Sequence, residues 1–134
     1  MISNLQMITI YVSDLERALE FYTRKLGFVR LAEYDDGQGQ HLIWVIPEPA
    51  RDDALATQIA LYAPADPSDP RIGAASGLVF TTATAEELAA TYDELKARGV
   101  HFVKELVRHP YGQGEGDQEA QFVDPDGNLF LLHT

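Results

Sequence analysis

The sequence predicts an α+β fold built from two βαβββ modules. Two helices, predicted from the spacing of apolar side chains, each follow one strand and precede three more, so the same order of elements occurs twice. Each helix ends at a glycine, Gly27 or Gly99, which suits the left-handed conformation after a helix C-terminus. The polar residues 124–128 between two apolar runs predict a closing β-hairpin. Strands with a few helices on one face are typical of α+β architecture.

The first module is predicted over residues 1–63. Residues 5–12 alternate as a half-buried strand does. Ser13 and Glu16 form the pattern of a capping box with Ser13 as the helix cap, and apolar side chains recur at helical spacing as far as Leu26. Further strands are predicted at residues 28–34, 41–46 and 58–62.

The second module is predicted over residues 77–134, after a linker at residues 64–76 that has three prolines and little periodicity. Thr84 and Glu87 give a second capping box, ahead of an amphipathic helix. Strands are predicted at residues 78–82, 101–107, 118–123 and 129–133.

The composition favours a cytoplasmic protein that does not bind nucleic acid. The 134 residues carry a formal net charge of −11, so anionic partners such as nucleic acid or a membrane surface would be repelled. There is no cysteine, hence no disulfide and no thiolate chemistry. The first residues do not have the pattern of a signal peptide, and no apolar run reaches the length of a membrane span.

Two stretches resemble the vicinal oxygen chelate superfamily, which includes glyoxalase I, extradiol dioxygenases, fosfomycin-resistance enzymes and bleomycin-resistance proteins. These are residues 11–28, which run from Tyr-Val-Ser-Asp to Lys-Leu-Gly-Phe, and residues 122–128, Phe-Val-Asp-Pro-Asp-Gly-Asn. The resemblance implies a single domain in which the two modules' sheets curl into a shared cup, with the helices on the convex side. It also implies a homodimer.

Strand alternation, combined with that architecture, predicts which side chains face the helices and which face the cup. The core set is Ile8, Ile10, Val12, Leu78, Phe80, Phe130 and Leu132. The cup set is Met7, Thr9, Tyr11, Gln58, Ala60, Tyr62, Gly77, Val79, Thr81, Leu129, Leu131 and His133.

Metal-dependent members of the superfamily hold one divalent ion with His and Glu side chains from four strands. The positions that the resemblance aligns with those ligands are Met7, Ala60, Gly77 and Leu131. None of these side chains can coordinate a hard divalent cation, which needs oxygen or nitrogen donors. We therefore expect no metal site and no cofactor.

Acid–base chemistry without a metal would need a carboxylate or imidazole in the cup. Glu119, inside a predicted strand, is the best candidate for a general base. His133 is the histidine whose side chain is predicted to face the cup. The loop that contains His109 and Tyr111 could overhang the cup, although a structural role is the simpler reading.

The remaining lining is apolar and aromatic, with a few amides, which suits a flat or amphipathic small molecule. The residues predicted to bind the ligand are Met7, Tyr11, Trp44, Gln58, Tyr62, Val79, Tyr111, Gln121 and Leu131. The function predicted is a metal-free binding protein for an apolar or aromatic ligand. The alternatives are a glyoxalase-like or dioxygenase-like enzyme with a relocated site, and a dimerisation or partner-binding domain whose cup is closed.

Overall fold

The computed structural model describes residues 1–112 and 114–134, and the chain divides into two compact units, Met1–Ala74 and Ala75–Thr134. The described residues contain the predicted order of elements twice, which confirms the α+β fold with two βαβββ modules. The organisation into one domain with a shared cup stays a prediction. Within the described residues, no helix has the length and apolar composition that crossing a membrane requires.

The first unit is a four-stranded sheet with one helix. Its elements are β1 (Met7–Tyr11), α1 (Leu15–Glu20) with a π-helical continuation (Phe21–Lys25), β2 (Phe28–Asp35), β3 (His41–Pro47), a 3-10 turn (Glu48–Ala50) and β4 (Gln58–Tyr62). The strand order is β1-β4-β3-β2, with β1 parallel to β4. α1 packs on β3 and β4, and the buried core contains Ile10 and Val12, as the alternation predicts.

The cap of α1 differs from the prediction by one residue. Asp14, in an extended conformation, is the N-cap, and its carboxylate accepts a hydrogen bond from the Arg17 backbone N–H at 3.0 Å. The Ser13 hydroxyl instead accepts a hydrogen bond from the Arg17 guanidinium at 2.9 Å. The prediction that Ser13 is the cap was therefore wrong. Serine and aspartate both cap helices, and the spacing to Glu16 alone does not show which of two adjacent residues does so.

The helix predicted to run to Leu26 changes character before it ends. The Leu26 N–H donates to the carbonyl of Phe21 at 3.1 Å, an i→i+5 bond that widens the turn. Phe21 and the adjacent Tyr22 are both buried. Gly27 then adopts φ 78°, which confirms its predicted place after the helix.

The second unit repeats the arrangement. Its elements are β5 (Leu78–Phe80), α2 (Glu87–Ala97), β6 (His101–Arg108), β7 (Gln118–Val123) and β8 (Leu129–His133). The strand order is β5-β8-β7-β6, with β5 parallel to β8. The rings of Phe80, Phe122 and Phe130 stack with centroids 5.2–6.3 Å apart, and Phe122 and Phe130 are buried while Phe80 is partly exposed.

The second predicted capping box was wrong. Glu86 occupies the N-cap of α2 in helical conformation, and its side chain makes no capping hydrogen bond. The Thr84 carbonyl accepts hydrogen bonds from the Thr82 hydroxyl at 2.6 Å and from the Glu87 N–H at 3.2 Å, so Thr84 belongs to a turn ahead of the helix.

The closing hairpin contains a buried polar turn. Asp124 and Asn128 are only 4% and 0% exposed. The Asp124 carboxylate accepts hydrogen bonds from the backbone N–H groups of Asp126 and Asn128, both at 2.9 Å, and from the Asn128 side chain at 2.8 Å. The Asn128 amide oxygen accepts a hydrogen bond from the Ala75 N–H at 3.0 Å, which ties the turn to the segment that precedes β5.

Replacing Asn128 by alanine should lower the free energy of unfolding by about 2–3 kcal/mol, because the Ala75 N–H and the buried Asp124 carboxylate each lose a partner. Urea denaturation measures the change. The matched control is Asp36→Ala, since Asp36 accepts backbone hydrogen bonds at 2.7 and 3.1 Å in an exposed turn. That control should cost about 0.5 kcal/mol. Equal losses in the two variants would contradict a special role for the buried turn.

Candidate functional site

The open face of the first sheet, which is the face opposite α1, has an apolar and aromatic surface. Met7 lies beside Gln58 in the β1–β4 register, and Thr9 lies beside Ala60, which in turn lies beside Trp44. The indole N–H of Trp44 donates to the Met7 sulfur at 3.3 Å, so the two side chains are in contact. Trp44 thus packs on its own sheet rather than projecting freely.

Two tyrosines continue this surface. Tyr11 and Tyr62 are register neighbours, and their rings meet edge to face with centroids 5.6 Å apart and an interplanar angle of 84°. This arrangement brings the positive edge of one ring to the negative face of the other. The two rings, both half-buried, thus hold each other in place at the end of β1 and β4.

Arg71, which lies in the predicted linker, was not predicted to belong to this surface. Its guanidinium lies 4.2 Å from the centroid of the Tyr11 ring and donates to the Tyr11 hydroxyl at 3.2 Å. Asp69 accepts two hydrogen bonds from the Arg71 guanidinium, at 3.0 and 2.8 Å, and one from the Arg71 backbone N–H at 2.9 Å. These bonds lower the pKa of Asp69 to about 2, so the carboxylate stays charged and holds the guanidinium in place. The Asp-x-Arg spacing at residues 69–71 is the only signal for this clamp in the sequence.

The open face of the second sheet joins an apolar patch to a polar cluster. Val79 lies beside Leu131, which lies beside Gln121 on β7. The Gln121 amide donates to one oxygen of Glu119 at 3.1 Å, and Nε2 of His109 lies 3.3 Å from the other. These last three residues form what we call the Glu119 cluster.

The remaining predicted residues lie at the edge of the Glu119 cluster. His133 is the register neighbour of Glu119, and its Nδ1 lies 2.7 Å from the Thr134 carbonyl oxygen. Tyr111 stacks on the His109 ring with centroids 4.8 Å apart and an interplanar angle of 8°. The sequence predicted His109 only as part of a loop. Its proximity to Glu119 could not be predicted because it depends on the conformation of that loop.

The Glu119 cluster holds an ionised carboxylate. The hydrogen bond from Gln121 is the largest influence, and together with His109 it outweighs partial desolvation, so the pKa of Glu119 lies below its ordinary value. An ionised carboxylate only accepts hydrogen bonds, so Nε2 of His109 must carry the hydrogen between them. Glu119 is therefore suited to receive a donor group and poorly suited to remove a proton.

The residues at the four positions aligned with metal ligands do not fit a divalent ion. Met7 contacts Trp44 through its sulfur, Ala60 is fully buried, Gly77 has no side chain, and Leu131 lies between Val79 and Gln121. Within residues 1–112 and 114–134, no three His, Asp or Glu side chains come together as a group that could hold a metal ion. No reaction step can be assigned to a metal at these positions.

Comparison with known proteins agrees with this architecture. The profile of the Glyoxalase/Bleomycin resistance protein/Dioxygenase superfamily matches residues 4–132. The uncharacterized protein YetH of Bacillus subtilis (strain 168) is 32% identical over 132 residues, which are 98% of each chain.

Solved structures give the same result. TnmS3, an antibiotic binding protein from Streptomyces sp. CB03234, is 30% identical with a TM-score of 0.75, over 98% of this chain and 94% of that one. A superfamily member from Sphaerobacter thermophilus DSM 20745 is 32% identical with a TM-score of 0.76, over 98% and 97% of the two chains. The family expected from residues 11–28 and 122–128 is thus confirmed, and the chain belongs to the Glyoxalase/Bleomycin resistance protein/Dioxygenase superfamily.

Proposed function

We propose that the protein binds an apolar or aromatic small molecule on the open faces of its sheets, without a metal ion. The observation that carries the proposal is the replacement of metal-ligand positions by apolar side chains among apolar and aromatic neighbours, such as Leu131 beside Val79 and Met7 against Trp44. The similarity to TnmS3, an antibiotic binding protein, supports a binding role.

Polar groups at the edge of these surfaces would set the specificity. Burying about 150 Å² of apolar ligand surface stabilises a complex by about 4 kcal/mol, and association costs at least as much. A few hydrogen bonds therefore decide whether binding is measurable. Glu119, which is held by Gln121 and His109, can accept a hydrogen bond from a ligand hydroxyl or amine whose apolar part covers Leu131.

The rival function is a glyoxalase-like or dioxygenase-like enzyme with a relocated site. The contact between His109 and Glu119 favours it, because a carboxylate that orients an imidazole is a common acid–base arrangement. The lowered pKa of Glu119 weighs against that carboxylate as a base near neutral pH. Turnover of a bound compound that is lost in His109→Gln would favour the enzyme.

We also propose that the protein acts as a homodimer. The edge strands β2 and β6 carry exposed apolar side chains, Leu31 and Tyr34 on one and Val103 and Val107 on the other, which suit association with a second copy. Light scattering of the purified protein tests this. The cytoplasmic location and the exclusion of nucleic acid stay predictions.

Replacing Val79 by aspartate should weaken ligand binding at least tenfold, because it places a charge within the apolar patch beside Leu131. A hit from a panel of aromatic compounds, found through the fluorescence of Trp44, would be titrated by calorimetry. Leu55→Asp is the control: Leu55 is also an exposed apolar residue, 71% exposed compared with 57% for Val79, and it lies in the loop between the 3-10 turn and β4, outside the edge strands. An equal loss in both variants, or no hit in a broad panel, would contradict the proposal. The second outcome would favour a partner-binding domain.

Replacing Gln121 by alanine should raise the pKa of Glu119 toward 4.5, its ordinary value, because the largest stabilising hydrogen bond is lost. Carbon-13 NMR of the side-chain carboxyl measures this pKa. Since folding lowers the pKa, Glu119 stabilises the native protein above its unfolded pKa, and that contribution disappears as the pH falls through the folded value. A pKa in the wild type at or above 4.5 would show that the Glu119 cluster does not favour the carboxylate.

A further inference from the structure

The open face of the first sheet carries polar groups without partners among the described residues. The hydroxyls of Thr9 and Tyr62 and the side-chain amide of Gln58 form no hydrogen bond with any residue that the structure describes. All three side chains are half-buried. Within the described part of the chain, His41 Nε2 is the only buried side-chain nitrogen or oxygen that lacks a partner. The groups on the open face therefore reach solvent, and a ligand can take the place of water there.

The indole N–H of Trp44 has only a weak acceptor. Its hydrogen bond, 3.3 Å long, goes to the Met7 sulfur, and a thioether accepts hydrogen bonds weakly. An indole N–H can only donate, so an oxygen supplied by a ligand would be a better partner. Met7 can give way to that oxygen because its unbranched side chain adopts several rotamers. Trp44 thus favours a ligand that carries an acceptor oxygen.

Arg71 offers further donors at one end of this face. Asp69 accepts from Nε and Nη2 of the guanidinium, at 3.0 and 2.8 Å, and Tyr11 accepts from Nη1 at 3.2 Å. The second N–H on each terminal nitrogen has no acceptor among the residues that the structure describes. The Asp69 side chain is only 15% exposed and holds the guanidinium in place. A ligand therefore meets a donor group whose long side chain is already ordered.

The charges around Arg71 are compatible with an anion. Asp69 neutralises Arg71, but a guanidinium has enough donors to bind one carboxylate along its side and another at its end. Asp66, in the same segment, accepts its hydrogen bonds from Ser68. The side chains that line the face include no carboxylate: they are Met7, Thr9, Tyr11, Trp44, Gln58 and Tyr62. Salt screens exposed charges beyond about 8 Å, so the net charge of −11 acts weakly here.

Strand geometry sets the length of a ligand that contacts both Trp44 and Arg71. Trp44 lies level with Thr9, because both are register neighbours of Ala60, and its indole reaches Met7. Along β1, Tyr11 is about 7 Å from Thr9 and about 13 Å from Met7. The Arg71 guanidinium lies 4.2 Å from the centroid of the Tyr11 ring. One or two aromatic rings with a carboxylate have the length that these positions require.

We propose that the open face of the first sheet binds an aromatic carboxylate whose ring system bears a second oxygen at its far end. The carboxylate accepts hydrogen bonds from the remaining N–H groups of Arg71, and the far oxygen accepts one from Trp44. The ring lies between them, across Thr9. This inference rests on the proposed function, because it gives the class of ligand for one of the open faces.

Nitrogen-15 NMR of the full chain tests the proposal with para-coumarate, a flat aromatic acid with a hydroxyl at the far end of its ring. The chain has one tryptophan, so a single indole N–H signal reports on Trp44. We expect this signal and the backbone N–H signal of Arg71 to shift on titration. Cinnamate, which lacks the ring oxygen, should bind several-fold more weakly and shift the Trp44 signal less. The primary amide of para-coumarate should bind about tenfold more weakly, because it lacks the charge.

Arg71→Gln should weaken the binding of para-coumarate about tenfold, because charge-assisted hydrogen bonds are lost. It should affect the primary amide far less, which separates lost recognition of the carboxylate from a general disturbance of the face. The matched control is Arg30→Gln. Arg30 also pairs with a carboxylate, that of Glu33, and its side chain is 47% exposed compared with 55% for Arg71. Arg30 lies beside the buried Val45, on the opposite face, so the control should leave the titration unchanged.

The outcomes separate this inference from the proposed function. If the amide binds as tightly as para-coumarate, or if Arg71→Gln and Arg30→Gln cause equal losses, the inference is overturned while an aromatic compound still binds. If none of the three compounds shifts any signal, the inference is overturned too. The broad panel used with Val79→Asp then decides whether the proposed function also fails.

Discussion

The buried turn of the closing hairpin determines which side chains the second sheet exposes. Asp124 binds the backbone and side chain of Asn128, and Asn128 binds Ala75, whose carbonyl accepts from the Leu129 N–H at 2.8 Å. These bonds fix the start of β8 against β7 and bring the approach to β5 alongside. A slip of one residue would exchange the two faces of β8, so the turn specifies the register as well as the fold.

That register sets the position of the two features on which the proposed function rests, the apolar Leu131 and the carboxylate of Glu119. It places Leu131 on the open face between Val79 and Gln121, where a metal-dependent relative would present a ligand. It also places Glu119 beside His133, with Gln121 two residues further along β7. The same strand pair thus supplies an apolar contact surface and an ionised acceptor at its edge, an arrangement suited to holding an amphipathic molecule.

Features governed by local chemistry could be predicted from the sequence. Gly27 ends the first helix, and residues 124–128 form the hairpin turn, because backbone conformation demands those residue types. Features that depend on contacts between residues far apart in the sequence could not be predicted from it. The Arg71–Tyr11 contact requires the linker to fold back along β1, where the Gly73 N–H donates to the Tyr11 carbonyl at 3.2 Å. The approach of His109 to Glu119 depends on the closure of a loop and on register shifts in β6, neither of which leaves a periodic pattern.

The central claim, small-molecule binding without a metal ion, is tested most directly by titrating a ligand into protein that has been dialysed against a chelator. We expect an affinity equal to that of untreated protein, and no change when Mn²⁺, Fe²⁺, Ni²⁺ or Zn²⁺ is added back, because Met7, Ala60, Gly77 and Leu131 offer no ligands for such an ion. Binding that disappears on dialysis and returns with one equivalent of a divalent ion would contradict it.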